Sequence, residues 1–364
     1  VGVGSTVLQV DCGTHEDPDV ALCGLMKTYR RYRGPELFVI SHFHADHYNG
    51  LVRAAESFRE RRFAIREVYY PRLPDIPVTE KRELMCYLLA MNGRILGRDT
   101  GLRELDLLRV FQKLNRAPFR HIPVSQGDTI LVDGVPFEVL WPPRQVDEGT
   151  RDAIRKALAS FRKALEEDKT LQKRYNEVSE GGLVDIYLDE DSATMSELAD
   201  DDAREDAGNH RGDPHTRRSE PLPQSVRDAN EDLRKVANHL SIAMAQGNNI
   251  LFLGDLEDSH IAWVVAYLGR RHMNGFHLLV TPHHGTHWHD ELENIRCTYS
   301  VSSNGARLHA RKSSAFKRIS SWSLNTYDCG DILLPACPVG YAPPWKAPYC
   351  WACQMTAATF DSTW

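Results

Sequence analysis

The segment "SHFHADH" places three histidines and one aspartate within seven residues, and it constrains the fold more than any other feature. It directly follows "ELFVI", a short apolar run that predicts a buried strand, so its polar residues lie in the loop at the strand's carboxyl end. Side-chain direction in extended backbone repeats every two residues, so His42 and His44 project to one side and can bind one cation. Asp46 and His47 lie on the following turn and point to a second cation. Imidazole with carboxylate suits Zn²⁺, Mn²⁺ or iron. The alternative is a polar helix cap with surface histidines, which the strand-end context disfavours.

The bulk composition bounds the remaining possibilities. The 364 residues suffice for one large domain or two ordinary ones. A net charge of -6 gives no global attraction to nucleic acid or to an anionic membrane, so any basic surface has to be local. No run of about 18 apolar residues occurs, no secretory signal is visible, and eight cysteines in a chain of this length are compatible with a reducing compartment. We therefore predict a cytoplasmic protein with no membrane partner.

Three further apolar segments in the second half deliver polar residues at their ends. "NHLSIAMAQGNNILFLGD" predicts a hairpin, and Asp255 lies just past its second strand. A charge at the end of a buried run needs a partner, so we predict that Asp255 bridges two ions, with a helix cap as the alternative. "HLLVTPHHGT" ends in His283 and His284, which point in different directions because they are adjacent. We predict His283 as the direct ligand and His284 as a residue that contacts a ligand or the substrate. "TYSVSSNG" repeats the pattern, with His309 a few residues on.

Two segments differ in character from the rest. Residues 144–230 predict a charged helical and acidic insertion that is partly disordered, because the acidic part is poor in aromatic residues. Its His210 and His215 are therefore poor candidates for ligands. Residues 334–364 form a tail rich in proline, cysteine and aromatic residues. Cys329 and the tail residues Cys337, Cys350 and Cys353 either bind a structural zinc or are free thiols. Free thiols are favoured, because a zinc site of this kind needs two close cysteine pairs and the sequence has one.

The order of the motifs resembles the metallo-β-lactamase fold. These motifs are "VGVGSTVLQVDCG", "SHFHADH", "LWPP", "NHLS", "FLGDLED", "TPHHGT", "SSNG" followed by His309, and "TYDCGDI". Within that fold the chain is similar to the branch containing the nuclease-like domain of the DNA-uptake protein ComEC. The resemblance covers residues 1–143 and 231–333, which it implies are the two halves of one α/β domain, a four-layer αββα sandwich.

The resemblance also implies a dinuclear metal centre at one edge of that sandwich. Two divalent ions, Zn²⁺ or Mn²⁺, would be held by His42, His44, Asp46, His47, Asp255 and His283. A metal-bridged hydroxide would attack a phosphodiester, so we predict a phosphodiesterase or nuclease acting on DNA, RNA or a nucleotide. Asp46 would also orient the nucleophile, and His284 or His309 would contact the phosphate or protonate the leaving group.

The chain departs from the family pattern at two places. Lys235 stands where many members have a third histidine for the first ion, which predicts that this ion is weakly held. His239, four residues on, is either a ligand or a structural residue. The late motif reads "LHAR" rather than His-Pro, which weakens the assignment of His309.

Two other functions remain open from the sequence. One is a hydrolase of carboxylic or thiol esters, or of lactones, which uses the same ions on a neutral carbonyl. The other is a binding or regulatory module with an incomplete metal site, which would contact a protein partner through the insertion or the tail. The basic segments "RRYR", "RERRF" and "HARKSSAFKR" either flank an anionic substrate or are solvated helix faces.

Overall fold

The computed structural model describes residues 2–3, 6–14, 17–32, 34–58, 60–99, 106–180, 183–188, 193–195 and 221–334. The predicted features at His210, His215, Cys337, Cys350 and Cys353, and most of the acidic segment, lie outside these residues. The described chain is α/β with two mixed sheets, which confirms the predicted class. It divides into two compact units. Unit 1 is built from Val1–Ser125, Val132–Gly134 and Pro142–Leu240, and unit 2 from Gln126–Leu131, Val135–Trp141 and the residues from Ser241 onward.

The elements are numbered in chain order. The strands are β1 (Gly2–Val3), β2 (Thr6–Val10), β3 (Leu37–Val39), β4 (Glu67–Pro71), β5 (Phe119–Val124), β6 (Thr129–Val132), β7 (Val135–Trp141), β8 (Ala193–Met195), β9 (Ala243–Gln246), β10 (Ile250–Phe252), β11 (Gly275–Val280), β12 (Arg296–Ser302) and β13 (Ser320–Asn325). The helices are α1 (Pro18–Tyr32), α2 (Asn49–Ser57), α3 (Val78–Asp99), α4 (Leu107–Leu114), α5 (Glu148–Glu167), α6 (Lys169–Glu180), α7 (Leu183–Leu188), α8 (Gln224–His239), α9 (Asp258–Arg270), α10 (Ala306–His309), α11 (Phe316–Ile319) and α12 (Thr326–Cys329). Of these helices, none is both long enough and apolar enough to cross a membrane.

The sheet of unit 1 has the strand order β1-β2-β3-β4-β5-β8. Its four central strands run parallel, and β3 is buried along its whole length, which explains its uninterrupted apolar sequence. Leu8 pairs with Leu37 and Val10 with Val39, so β2 and β3 end side by side. The residues that follow these two strands therefore meet at one edge of the sheet.

The helices of residues 144–230 contribute to the core of unit 1. Asp147 caps the amino-terminal end of α5, and its side chain accepts a hydrogen bond from the Thr150 N–H (2.7 Å). Phe161 of α5 stacks on Tyr87 of α3 with ring centroids 3.7 Å apart. The buried residues of α5 are Thr150, Ile154, Ala157, Leu158, Phe161 and Ala164, an apolar stripe at helical spacing inside a charged sequence. This part of the predicted insertion is thus packed into unit 1, and the boundary predicted after Asn230 falls within α8.

We expect Phe161→Ala to lower the free energy of unfolding by about 3–5 kcal/mol, because the ring is fully buried and its loss leaves a cavity against Tyr87. Urea denaturation measures the change. Lys163→Ala on the exposed face of the same helix is the control and is expected to change stability by less than about 0.5 kcal/mol. If Phe161→Ala changes stability as little as the control does, α5 contributes little to the stability of the fold.

The sheet of unit 2 has the strand order β13-β12-β11-β10-β9-β7-β6. The strands β10 to β13 run parallel, and β9 pairs antiparallel with β10 and β7. The predicted hairpin is confirmed as β9 and β10, joined by a turn in which Gly247 has a positive φ of 47°. Its first strand begins only at Ala243, since His239 still belongs to α8. A separate core packs this sheet against α9, as shown by the fully buried Leu251 and Ile261.

Candidate functional site

The loop after β3 is fixed against the turn after β2 in unit 1. The Cys12 N–H donates to the carbonyl of His47 (2.7 Å), and the Gly50 N–H donates to the carbonyl of Cys12 (3.0 Å). A Cβ at Gly13 would overlap the carbonyl oxygen of Asp46, so the approach of the two segments requires glycine at this position. The histidine-rich loop therefore has a defined position on the sheet edge.

The side chains of His42 and His44 converge, as their two-residue spacing predicts. His42 Nε2 lies 2.8 Å from His44 Nδ1, and the two residues are 0% and 8% exposed. With Zn–N bonds of about 2.0–2.1 Å, two nitrogens on one tetrahedral zinc are roughly 3.3 Å apart. A shift of less than about 1 Å thus converts this pair into two ligands of one ion. The other ring nitrogen of His42, Nδ1, lies 3.1 Å from Ser41 Oγ, which holds the ring in place.

Asp11, at the end of β2, orients His47. Its Oδ2 lies 2.8 Å from His47 Nδ1 and accepts a hydrogen bond from Ser41 Oγ (2.6 Å), and its Oδ1 accepts from the Ser41 N–H (2.7 Å). A carboxylate on Nδ1 fixes the tautomer that leaves Nε2 as a ligand atom, and metal-binding histidines commonly have such a partner. Asp46 Oδ2 lies 3.6 Å from that Nε2, so Asp46 and His47 form a second pair of donors.

We expect Asp11→Asn to weaken zinc binding by about 10–100-fold, the usual cost of losing the hydrogen-bond partner of a metal ligand. Asparagine keeps the shape of the side chain but removes the charge that favours the Nε2 donor. Competition with a chromophoric chelator measures the affinity. Asp19→Asn, which removes an exposed carboxylate paired with Arg53, is the matched control and should leave it unchanged. Equal affinity of both variants would refute the role of Asp11.

In unit 2, the residues that follow β10 and β11 are held together. The Asp255 N–H donates to Ser241 Oγ (2.9 Å), and the His283 N–H donates to the carbonyl of Gly254 (2.9 Å). His283 and His284 have φ values of 47° and 57°, in the left-handed region that non-glycine residues rarely adopt. Strained backbone of this kind concentrates at functional sites. The turn brings both imidazoles toward Asp255.

The two adjacent histidines differ in their hydrogen-bond partners. His284 Nδ1 lies 2.9 Å from the carbonyl oxygen of Ser303, which can only accept, so Nδ1 carries the proton and Nε2 is the donor atom for an ion. That Nε2 lies 3.5 Å from Asp255 Oδ2. His283 Nε2 is 3.9 Å from the same oxygen, and its Nδ1 is 3.2 Å from Glu257 Oε1. Both histidines therefore lie beside Asp255, and Nε2 of His284 is the nearer of the two to its Oδ2.

Glu257, His283 and His287 form a further group that could hold a metal ion, because one donor atom of each lies within 4.8 Å of the others. The rings of His283 and His287 are stacked at 4.3 Å and 3°. Burial, and then the neighbouring His283, lower the pKa of His287, which favours its neutral form. Glu257 lies in the segment "FLGDLED" and His287 in "TPHHGTHW", but the sequence does not show that these two side chains are close in space.

The other predicted residues have different surroundings. His309, on α10, has its ring 4.6 Å from that of Tyr327, and its Nε2 is 3.9 Å from Asp328 Oδ1. Lys235 is exposed on α8 and lies 3.8 Å from Glu231. His239 is the last residue of α8 and is half-buried. The assignments of His309 and His239 remain predictions.

The thiols offer no obvious nucleophile at the histidine-rich loop. Burial and the charge of Asp11 raise the pKa of the Cys12 thiol to about 12, so it is protonated at neutral pH. Cys329, the one member of the predicted cysteine group within the described residues, is an exposed free thiol. The chemistry available is thus that of imidazole and carboxylate: the described chain has histidine and acidic groups that could hold a metal ion.

Comparisons with protein-family models, with curated proteins and with solved structures find no significant match.

Proposed function

We propose that this chain is a metal-dependent hydrolase of phosphodiester bonds. The observation that supports the proposal most is the geometry of the loop after β3. There, His42 Nε2 and His44 Nδ1 lie 2.8 Å apart, and Asp11 turns His47 so that its Nε2 is left as a donor. Paired imidazoles with an orienting carboxylate are typical of catalytic metal sites.

The donor set fits Zn²⁺ or Mn²⁺. In unit 1 the ligands would be His42, His44, Asp46 and His47, and in unit 2 Asp255 with one of its two neighbouring histidines. The family resemblance implies an αββα sandwich with a dinuclear centre, and that part of the proposal rests on the motifs. When bound, such ions supply Lewis acidity, positive charge for the developing anion and an acidified water.

The side chains of the chain itself position and orient the reactants. Asp11 and Ser41 hold the imidazoles of His42 and His47 in fixed orientations, which removes the cost of ordering them during the reaction. The Asp46 carboxylate, half-buried beside His47, would accept a hydrogen bond from an attacking water. We favour a phosphodiester over a neutral ester because the motifs resemble the nuclease-like branch.

The proposal is tested by elemental analysis of the purified chain together with hydrolysis of bis(p-nitrophenyl) phosphate. We expect bound zinc or manganese and a rate that disappears with a chelator and returns with either ion. p-Nitrophenyl acetate and an acyl thioester, assayed in parallel, should react more slowly. If either ester is hydrolysed faster than bis(p-nitrophenyl) phosphate, the chain is an ester hydrolase rather than a phosphodiesterase.

If the chain binds no metal and hydrolyses none of the three substrates with any ion, the proposal of an enzyme is wrong. That result would support the binding module.

A further inference from the structure

Five arginines gather near the amino-terminal ends of β4 and β5 in unit 1. They are Arg61, Arg62, Arg66, Arg116 and Arg120, and we name them the arginine surface. All are exposed except Arg61, which is half-buried. The sequence left open whether "RERRF" is a solvated helix face or flanks an anionic substrate. The described residues of this segment, 60–63, lie outside a helix and beside arginines from a distant part of the chain.

Backbone hydrogen bonds fix the arrangement of these arginines. The Arg62 N–H donates to the carbonyl of Leu114 (2.9 Å), and the Arg116 N–H donates to the carbonyl of Phe63 (2.9 Å). Arg116 Nε also donates to the carbonyl of Arg61 (3.1 Å). The pairing thus holds Arg61, Arg62 and Arg116 next to one another on a rigid edge.

The same side of the chain continues to Arg66 and Arg120. The Arg120 N–H donates to the carbonyl of Arg66 (2.8 Å), where β4 and β5 begin. Between residues 62 and 66 the exposure alternates, with Phe63 and Ile65 buried and the even-numbered residues outside. The period of two of an extended chain therefore places Arg62 and Arg66 on one outer face.

The positive charge of this surface is only partly neutralised. Arg66 pairs with Glu36 (3.1 Å) and Arg120 with Glu67 (3.2 Å). The guanidinium of Arg62 lies 4.7 Å from the centroid of the Phe58 ring, whereas the backbone of Arg62 donates to Leu114 and accepts from the Tyr29 hydroxyl. Within the described residues, neither Arg62 nor Arg116 forms an ion pair with a carboxylate. Two guanidinium groups are therefore available to an external anion.

We infer that the arginine surface binds the phosphate backbone of a nucleic acid. Guanidinium groups bind phosphate with two parallel hydrogen bonds, and Arg62 over Phe58 adds a planar stacking platform. A membrane is the weaker match, because interfacial binding also needs exposed apolar side chains. The large exposed apolar residues of the described chain are Val20, Val78, Leu131, Trp322, Tyr327 and Leu333, none of them a neighbour of these arginines in sequence.

This surface is separate from the candidate metal ligands of unit 1. The arginines flank the beginnings of parallel strands, whereas the loop of His42 and His44 follows the end of β3. β4 alone has five residues, or about 17 Å of extended chain. The inference rests on the proposed phosphodiester function and makes a polymer its substrate class, held at a distance from the reacting bond.

The test is binding of fluorescein-labelled oligo(dT) to the full chain by fluorescence anisotropy, in a chelator so that no hydrolysis occurs. We expect affinity to fall as salt rises, with a logarithmic slope that decreases by about 1.4 when Arg62→Gln and Arg116→Gln are combined, about 0.7 for each lost phosphate contact. At low salt the double variant should bind about tenfold more weakly. Arg62→Lys with Arg116→Lys should keep the slope.

The matched control is Arg155→Gln with Arg174→Gln, which removes two charges from surface arginines of α5 and α6 that already have carboxylate partners. An unchanged slope in the Arg62 and Arg116 variant, or an equal loss in the control, would overturn the inference. So would wild-type binding to phosphatidylserine vesicles but not to oligo(dT). If the double glutamine variant fails to fold, the single variants Arg62→Gln and Arg116→Gln replace it, and each should lower the slope by about 0.7. Hydrolysis of bis(p-nitrophenyl) phosphate reports separately on the proposed function.

Discussion

Replacing His44 by alanine is expected to remove bound divalent metal and to lower the rate on bis(p-nitrophenyl) phosphate by more than about 100-fold. Losing the hydrogen-bond partner of a ligand costs about 10–100-fold in metal affinity or activity, and losing the ligand itself should cost more. His44 Nδ1 lies 2.8 Å from His42 Nε2. Removing His44 therefore leaves His42 as the one imidazole of this pair, whereas a metal ion needs several ligands. Metal content and rate are measured on the same preparation.

The control for this experiment separates metal binding from folding. His272→Asn replaces an exposed histidine with φ 57° by a residue that tolerates that conformation, and it should change neither metal content nor rate. Because His44 is only 8% exposed, thermal melting of the metal-free variants is compared as well. His44→Gln, closer in size, repeats the measurement if the alanine variant melts early. Full metal content in a folded His44 variant would contradict the assignment.

The pairing of His42 with His44 could be predicted from the sequence because it depends only on local geometry. An apolar strand and a spacing of two residues are enough to bring two side chains to one side. The role of Asp11 could not be predicted in this way. Asp11 is close to His47 because β2 and β3 are parallel neighbours, and one chain's sequence does not state which strands pair. The signal that was present is an acidic residue directly after a strand, in "VLQVDCG".

The packing of α5 into the core of unit 1 was not predicted, for a different physical reason. Nearly half of residues 148–167 are charged, and this composition predicted a charged helical insertion. The burial of Ile154, Leu158 and Phe161 shows that spacing of three and four residues matters more than overall charge, because a helix needs only one apolar stripe to pack. The same reasoning explains why the boundary placed after Asn230 falls inside α8.

The backbone of His283 and His284 also could not be predicted. Adjacent side chains in an extended or helical chain diverge, which predicts that only one of the two histidines binds the metal. His283 and His284 are neither extended nor helical, with φ of 47° and 57°, and both rings lie beside Asp255. What distinguishes the two histidines is then the distance of Nε2 from Asp255 Oδ2, which is 3.5 Å for His284 and 3.9 Å for His283, and the stacking of the His283 ring on His287.

We therefore expect His284→Ala to weaken metal binding by more than about 100-fold and His283→Ala by less than about tenfold. The two variants control for one another, since both replace a half-buried histidine with positive φ and carry the same backbone cost of roughly 1–2 kcal/mol. Chelator competition with Zn²⁺ measures the affinities, and the d–d spectrum of bound Co²⁺ reports whether a nitrogen ligand has been lost. The opposite order would restore His283 as the ligand and assign His284, with its Ser303 hydrogen bond, to substrate contact. Equal and small losses would exclude both histidines as ligands.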